Sequence, residues 1–197
     1  MTPSSSVTRS ARGREVVAAG RQLLEEEGPE ALTMRRLAER VGIRAPSLYK
    51  HLPDKAALEA AIIATGFEEA AATFEQAVEG ADEGTHKGRG EGSGERRPAA
   101  RGDALVALAA AYRRFALEHP HLYRLMNNGP LPREHLPPGL EGRTAAPLLR
   151  VAGSQARARA VWAFAHGMVM LELDQRFPPD ADLDAAWQAG ITAFQPA

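Results

Sequence analysis

Residues 33–55, TMRRLAERVGIRAPSLYKHLPDK, decide the reading of this chain. They read as two short helices joined by a tight turn, followed by the start of a third. Thr33 opens the first helix, predicted over residues 33–40, because its hydroxyl can accept an orphan backbone N–H at the helix start. Leu37 and Val41 are four apart and share one face. Gly42 supplies the turn, where a positive φ is cheap only without a Cβ. Pro46 opens the second helix, since its missing N–H needs no partner at the first helical position. Ser47, Leu48, Tyr49, Lys50 and His51 follow, and Pro53 ends the helix. Asp54 can cap the next helix, which starts at Lys55. Helix, glycine turn, short helix is the helix-turn-helix pattern.

The 197-residue chain has 44% hydrophobic residues, enough for a core, and only 6% aromatics. Alanine is abundant, which favours helix over strand, and no alternating β-branched run argues for a sheet. The formal charge is −1, so the chain as a whole is not a polycation. Its distribution says more: residues 1–60 carry ten Lys/Arg against eight Asp/Glu. Arg44, Lys50 and Lys55 surround the second helix of the motif, whereas Glu25, Glu26 and Glu27 lie away from it. A local basic face is what phosphate binding requires. The absence of cysteine excludes disulfides and thiolate metal sites. Residues 1–14 hold no apolar signal-peptide core, and no apolar run approaches the ~20 residues of a membrane span. A cytoplasmic protein is expected.

Residues 14–63 resemble the DNA-binding domain of the TetR family of bacterial transcriptional regulators. The resemblance rests on Gly28, Thr33, Val41-Gly42, Leu48-Tyr49-Lys50-His51 and Lys55 at the family's spacing. Pro46 stands where a small residue is more common. The resemblance implies an all-α fold, with an N-terminal three-helix helix-turn-helix head and a C-terminal helical ligand-binding and dimerisation domain. It also implies a ligand-responsive regulator, a repressor that binds a palindromic double-stranded DNA operator as a homodimer. The alternative is a helical ligand-binding or interaction protein that does not engage DNA. Retention of Arg44, Tyr49 and Lys55 speaks against that alternative.

The chain is expected to divide into a disordered tail (1–12), a DNA-binding head (13–60) and a ligand-binding and dimerisation domain (61–197). Helix one should cover about 13–27, with Val16, Val17, Ala19, Leu23 and Leu24 packing inward. The helix from Lys55 should reach about Val78, with Leu58, Ile62, Phe67 and Phe74 at helical spacing. Residues 80–102, GADEGTHKGRGEGSGERRPAARG, hold seven glycines, mixed charges and no large apolar residue. Such a segment buries too little surface to offset its ordering entropy, and a flexible insertion is expected. Further helices are predicted from Asp103 to near Pro120, over 121–126, over 148–151, from Ser154 to about Arg176, and over 183–194. Residues 129–142 are expected to be irregular, with a brief helix after Pro132.

In the motif, the Tyr49 hydroxyl can donate to a phosphate, and Lys55 starts a helix whose backbone N–H groups already attract anions. Thr33 has the same placement, with simple capping as the alternative. His51 can contact phosphate or close its helix. Arg44, Ala45, Pro46, Ser47 and Lys50 lie at or near the exposed start of the second helix. Arg44 can bond guanine O6 and N7 bidentately, and Ala45 can touch a thymine methyl. Contacts to the DNA backbone alone are the alternative for this group.

Farther on, VWAFAHGMVMLEL is apolar nearly all round, which implies burial on more than one side. Its Trp162-x-x-x-His166-Gly167 resembles an arrangement in the C-terminal domain of some TetR-like regulators. That resemblance implies a pocket on one face and a dimer seam on the other. A small, mostly apolar effector is expected in a cavity lined by some of Tyr112, Phe115, Tyr123, Met126, Trp162, His166 and Met170. For His166 the alternative is a satisfied core histidine. His119 and His121, two apart, do not face one another, and no third ligand stands beside them, so no metal site is expected. No catalytic constellation occurs, and the Gly88–Gly94 series follows no strand. Neither enzyme activity nor a cofactor is expected.

Overall fold

The computed structural model describes residues 10–86 and 98–195. Among them are nine α-helices and no strand: α1 (Ala11–Glu27), α2 (Met34–Val41), α3 (Ala45–Leu48), α4 (Lys55–His86), α5 (Pro98–Glu118), α6 (Pro120–Asn127), α7 (Leu140–Ala152), α8 (Gln155–Leu173) and α9 (Leu183–Ala193). Short 3-10 turns lie at Pro29–Ala31 and Arg133–His135.

By internal contacts the chain forms two compact units, Met1–Glu69 with His119–Leu140, and Ala70–Glu118 with Glu141–Ala197. The division after Glu69 differs from the boundary expected at residue 60. Residues 119–140 belong with the head, although the sequence places them in the second domain. The expected tail, residues 1–12, lies largely outside the described residues; Ser10 already caps α1, accepting from the Gly13 N–H at 2.9 Å.

In the first unit, α1 packs on α2 and on α6, and α2 packs on α3. Its core holds Val16, Leu24, Leu37, Leu48, Leu58 and Ile62, all fully buried. Each contributes roughly 1.5–3 kcal/mol on leaving water. A second cluster gathers Ile63, Ala64, Leu136 and Leu140, with Phe67, Leu125, Met126 and Leu131 packed against it. Glu25 of α1 accepts the Leu122 N–H at 3.0 Å, and so satisfies one orphan donor at the start of α6. In the second unit, α5 packs on α8 and α9. Phe74 meets Tyr112 and Phe115, with ring centroids 5.7 and 6.2 Å away.

Three element boundaries depart from expectation. First, α4 continues to His86 instead of ending near Val78, and α5 already starts at Pro98. Both helices enter the span predicted as a flexible insertion; residues 87–97 of it lie outside the described residues. Propagation explains the overrun: once a helix is nucleated, each added residue gains a hydrogen bond, which outweighs the ~1 kcal/mol cost of a lone glycine such as Gly80. Second, α7 spans Leu140–Ala152, far more than the predicted 148–151, and carries Pro147 inside it. Pro147 is buried, and packing there outweighs one lost backbone bond. Third, regular helix in α3 covers only Ala45–Leu48, with Pro46 second rather than first.

Candidate functional site

The motif is built from backbone geometry outward. Thr33 caps α2, its hydroxyl accepting from the Arg36 N–H at 3.2 Å. Gly42 ends α2 in the left-handed region, at φ 69° and ψ 32°. Its N–H and that of Ile43 close back on the Glu39 and Ala38 carbonyls at 3.2 and 3.0 Å. The chain then turns into α3 through Arg44, whose side chain does not cap. Beyond Leu48 the backbone continues in turns rather than regular helix, with the His51 N–H on the Leu48 carbonyl at 2.9 Å. Leu48 and Leu52 are fully buried and pin this short element to the head. Asp54 caps α4, accepting from the Ala57 N–H at 2.8 Å.

With the two leucines turned inward, the remaining side chains face out. Thr33, Arg44, Pro46, Ser47, Lys50 and Lys55 are exposed, while Ala45 and His51 are half-buried. Tyr49 is 50% exposed, too much for a ring placed as core. The structure thus brings all nine predicted DNA-contact residues onto the surface of one unit.

Charge pairing sorts the cations of the head. Arg36 pairs with Glu27, and Arg40 with Glu26 and Glu27. Arg21 pairs with Glu69, and Arg12 with Glu15 at 2.9 Å. Lys55 lies 3.4 Å from Glu59, one helical turn on. Such an exposed i,i+4 pair is worth only about 0.3–0.5 kcal/mol, so Lys55 stays available to a phosphate. Arg44 and Lys50 form no ion pair with any described residue. Among the described residues of the motif, Arg44 and Lys50, on or beside α3, are thus cations without a carboxylate partner.

The residues predicted to line an effector cavity are split between the units. Tyr123 is buried and Met126 half-buried in the first. Tyr112, Phe115, Trp162, His166 and Met170 are in the second. Phe115 is buried beside Phe74, but Trp162 is 50% exposed on α8, its ring 6.2 Å from that of His166. Burial holds the His166 imidazole below its ordinary value, since desolvation disfavours the charged form. His119 meets Glu69 at 3.3 Å rather than a metal-binding neighbour. No group of three or more potential metal ligands exists among the described residues. Nor is any helix there long and apolar enough to cross a membrane.

A charge cluster around the shielded carboxylate of Glu172, in the second unit, escaped the sequence reading. Glu172, with a side chain 6% exposed, accepts from Arg113 Nε at 3.0 Å and Nη2 at 2.9 Å, and from Trp187 Nε1. Arg113 also reaches Asp184 at 2.5 Å, and its guanidinium lies 5.6 Å from the Trp187 ring centroid. Burial opposes the charge on Arg113. Hydrogen bonds and charges from Asp184 and Glu172 outweigh that effect and hold the guanidinium above its ordinary value. A lone carboxylate in the apolar run VWAFAHGMVMLEL was the available signal.

Comparison with known proteins agrees with this geometry. Residues 16–62 match the family described as bacterial regulatory proteins, tetR family. Residues 105–194 match the tetracyclin repressor-like C-terminal domain. An uncharacterized HTH-type transcriptional regulator of Mycobacterium tuberculosis is 30% identical over 195 residues, covering 92% of this chain and 80% of that protein. Tetracycline repressor protein class G of Vibrio anguillarum is 51% identical over 43 residues, which is 22% of this chain and 20% of that one. Among solved structures, a protein of unknown function from Rhodococcus sp. RHA1 superposes with a TM-score of 0.70 at 24% identity, covering 92% of each chain. At that identity the likeness speaks for the fold alone.

Proposed function

The chain belongs to the TetR family of DNA-binding transcriptional regulators, and we propose that it acts as a homodimeric, ligand-responsive repressor of a palindromic operator. The observation that carries the DNA-contact assignment is the sorting of charge. Arg44 and Lys50 face solvent without a carboxylate, beside an exposed Tyr49, while other arginines of the head are paired. Arg44, Ala45, Pro46, Ser47 and Lys50 would face base edges. Thr33, Tyr49, His51 and Lys55 would hold the phosphates that fix register.

Dimerisation through α8 and α9 is supported by the apolar surface they expose. Trp162 and Leu171 are 50% and 42% exposed, and Ala163, Ala186, Ala189 and Ala193 lie on exposed positions of the same two helices. Exposed apolar side chains on neighbouring helices suit an association site, and two helices from each subunit would make a four-helix bundle. The Trp162-x-x-x-His166-Gly167 arrangement stands at this seam. The effector would be small and mostly apolar, meeting Tyr112, Phe115, His166 and Met170 in the second unit. It would release DNA by binding the non-DNA-competent dimer more tightly.

Selection of bound sequences from a pool of random duplexes tests this reading. An inverted repeat should be enriched, and Arg44→Ala should change the enriched half-site. Enrichment of no sequence, or of a single half-site bound by one chain, would overturn it.

A further inference from the structure

Helix α2 carries three arginines, but the structure treats them differently. Arg35 keeps a side chain 84% exposed, with Glu39 no closer than 3.9 Å. Arg36 and Arg40, four residues apart and so on one face, turn instead toward the end of α1. There Glu27 takes both, lying 3.5 Å from Arg40 Nη1, and Glu26 takes Arg40 as well. Two carboxylates and two guanidiniums cancel in charge. All four side chains remain partly exposed, from 29% to 56%. The cluster is therefore open to exchange with another anion.

In a helix-turn-helix the first helix of the motif crosses the DNA backbone. Arg36 and Arg40 sit on that helix, where a phosphate could recruit them. We propose that Glu26 and Glu27 form an intramolecular phosphate substitute that keeps Arg36 and Arg40 off DNA. By doing so they cap sequence-independent affinity and leave discrimination to α3. The inference rests on the DNA-binding reading. It adds a specificity-determining role for two acidic residues that touch no DNA themselves. The chemistry is competition between anions for fixed cations: each guanidinium that moves to a phosphate releases condensed counterions and steepens the salt dependence of binding.

The test uses the full chain and a random-sequence duplex, with affinity measured across a salt series. Glu26→Gln/Glu27→Gln keeps side-chain size and frees both arginines. The slope of log affinity against log salt should steepen by about 1 to 2, at roughly 0.9 per added phosphate contact. Arg36→Gln/Arg40→Gln should leave the wild-type slope unchanged, because those cations are already withheld. Combining all four substitutions should return the slope to wild type, which separates recruited arginines from simple loss of acidic repulsion. Lys55→Ala, a proposed phosphate contact, should flatten the slope and serves as the positive control. An unmoved slope in the double glutamine variant, or a flattened slope in the arginine variant, overturns the clamp while DNA binding stands. Absence of wild-type binding to any duplex, even at the lowest salt, would overturn the DNA-binding reading, and the clamp with it.

Discussion

Replacing Glu172 with Gln should destabilise the second unit by about 2–3 kcal/mol, below the roughly 3–5 kcal/mol typical when one partner of a buried ion pair is removed. Glu172 is 6% exposed and receives two N–H groups of Arg113 and the indole N–H of Trp187. Glutamine keeps the shape and one acceptor, so the Trp187 bond can survive. What is lost is the charge, and the new amide N–H groups face a guanidinium. Arg113 then keeps only the Asp184 partner of this cluster. Because the Arg113 side chain is 23% exposed, water relieves part of the loss, which is why the lower range applies. At about 2–4 °C per kcal/mol for a chain of this size, the midpoint of thermal unfolding should fall by roughly 4–12 °C. Calorimetry or circular dichroism reads this directly. The double variant Arg113→Gln/Glu172→Gln should cost less than the sum of its singles, since both remove the same interaction. A Glu172→Gln variant within about 0.5 kcal/mol of wild type would mean that the cluster contributes no more than an exposed ion pair.

Other consequences follow from particular residues. Gly190→Ala places a Cβ 2.0 Å from Phe164 Cζ, so it should destabilise by about 1–3 kcal/mol or more through overpacking, read by chemical denaturation. His166 titrates below its ordinary 6.5 through desolvation. The unfolded chain then binds the proton first, so stability should fall as pH drops below 6.5 and level off once the folded-state imidazole also protonates. His166→Phe should flatten that pH dependence, and an unchanged profile would contradict it. Tyr49→Phe and Lys55→Ala should each weaken DNA binding by about 1–2 kcal/mol without changing sequence preference, as measured by titration of matched and mismatched duplexes.

The sequence exposed the parts governed by local rules. Thr33, Asp54 and Ser154 each cap the helix they were expected to open, because capping is decided within three residues. Gly42 is legible for the same reason: its left-handed conformation is one that side chains disfavour. The extent of α3 was not legible. Pro53 suggested helix through His51, but burial of both Leu48 and Leu52 is met by turns after one helical segment. Long-range partners were hidden as well. Nothing near Glu25 announces a bond to the Leu122 N–H, and nothing near Glu172 announces Arg113, 59 positions away. The proposed cavity suffered most from this. It was assembled from large apolar residues without knowing which unit each would join, and Tyr123 and Met126 fell on the far side of that division.

The most direct test of DNA readout by α3 is the affinity of the wild-type chain for its selected duplex, set against that of Arg44→Ala/Lys50→Ala. Both titrations should be run across salt and with stoichiometry recorded. Two chains should bind per duplex, wild-type affinity should fall steeply with salt, and the double variant should lose both affinity and preference over random DNA. A double variant that binds the selected duplex as tightly and as selectively as wild type would contradict it.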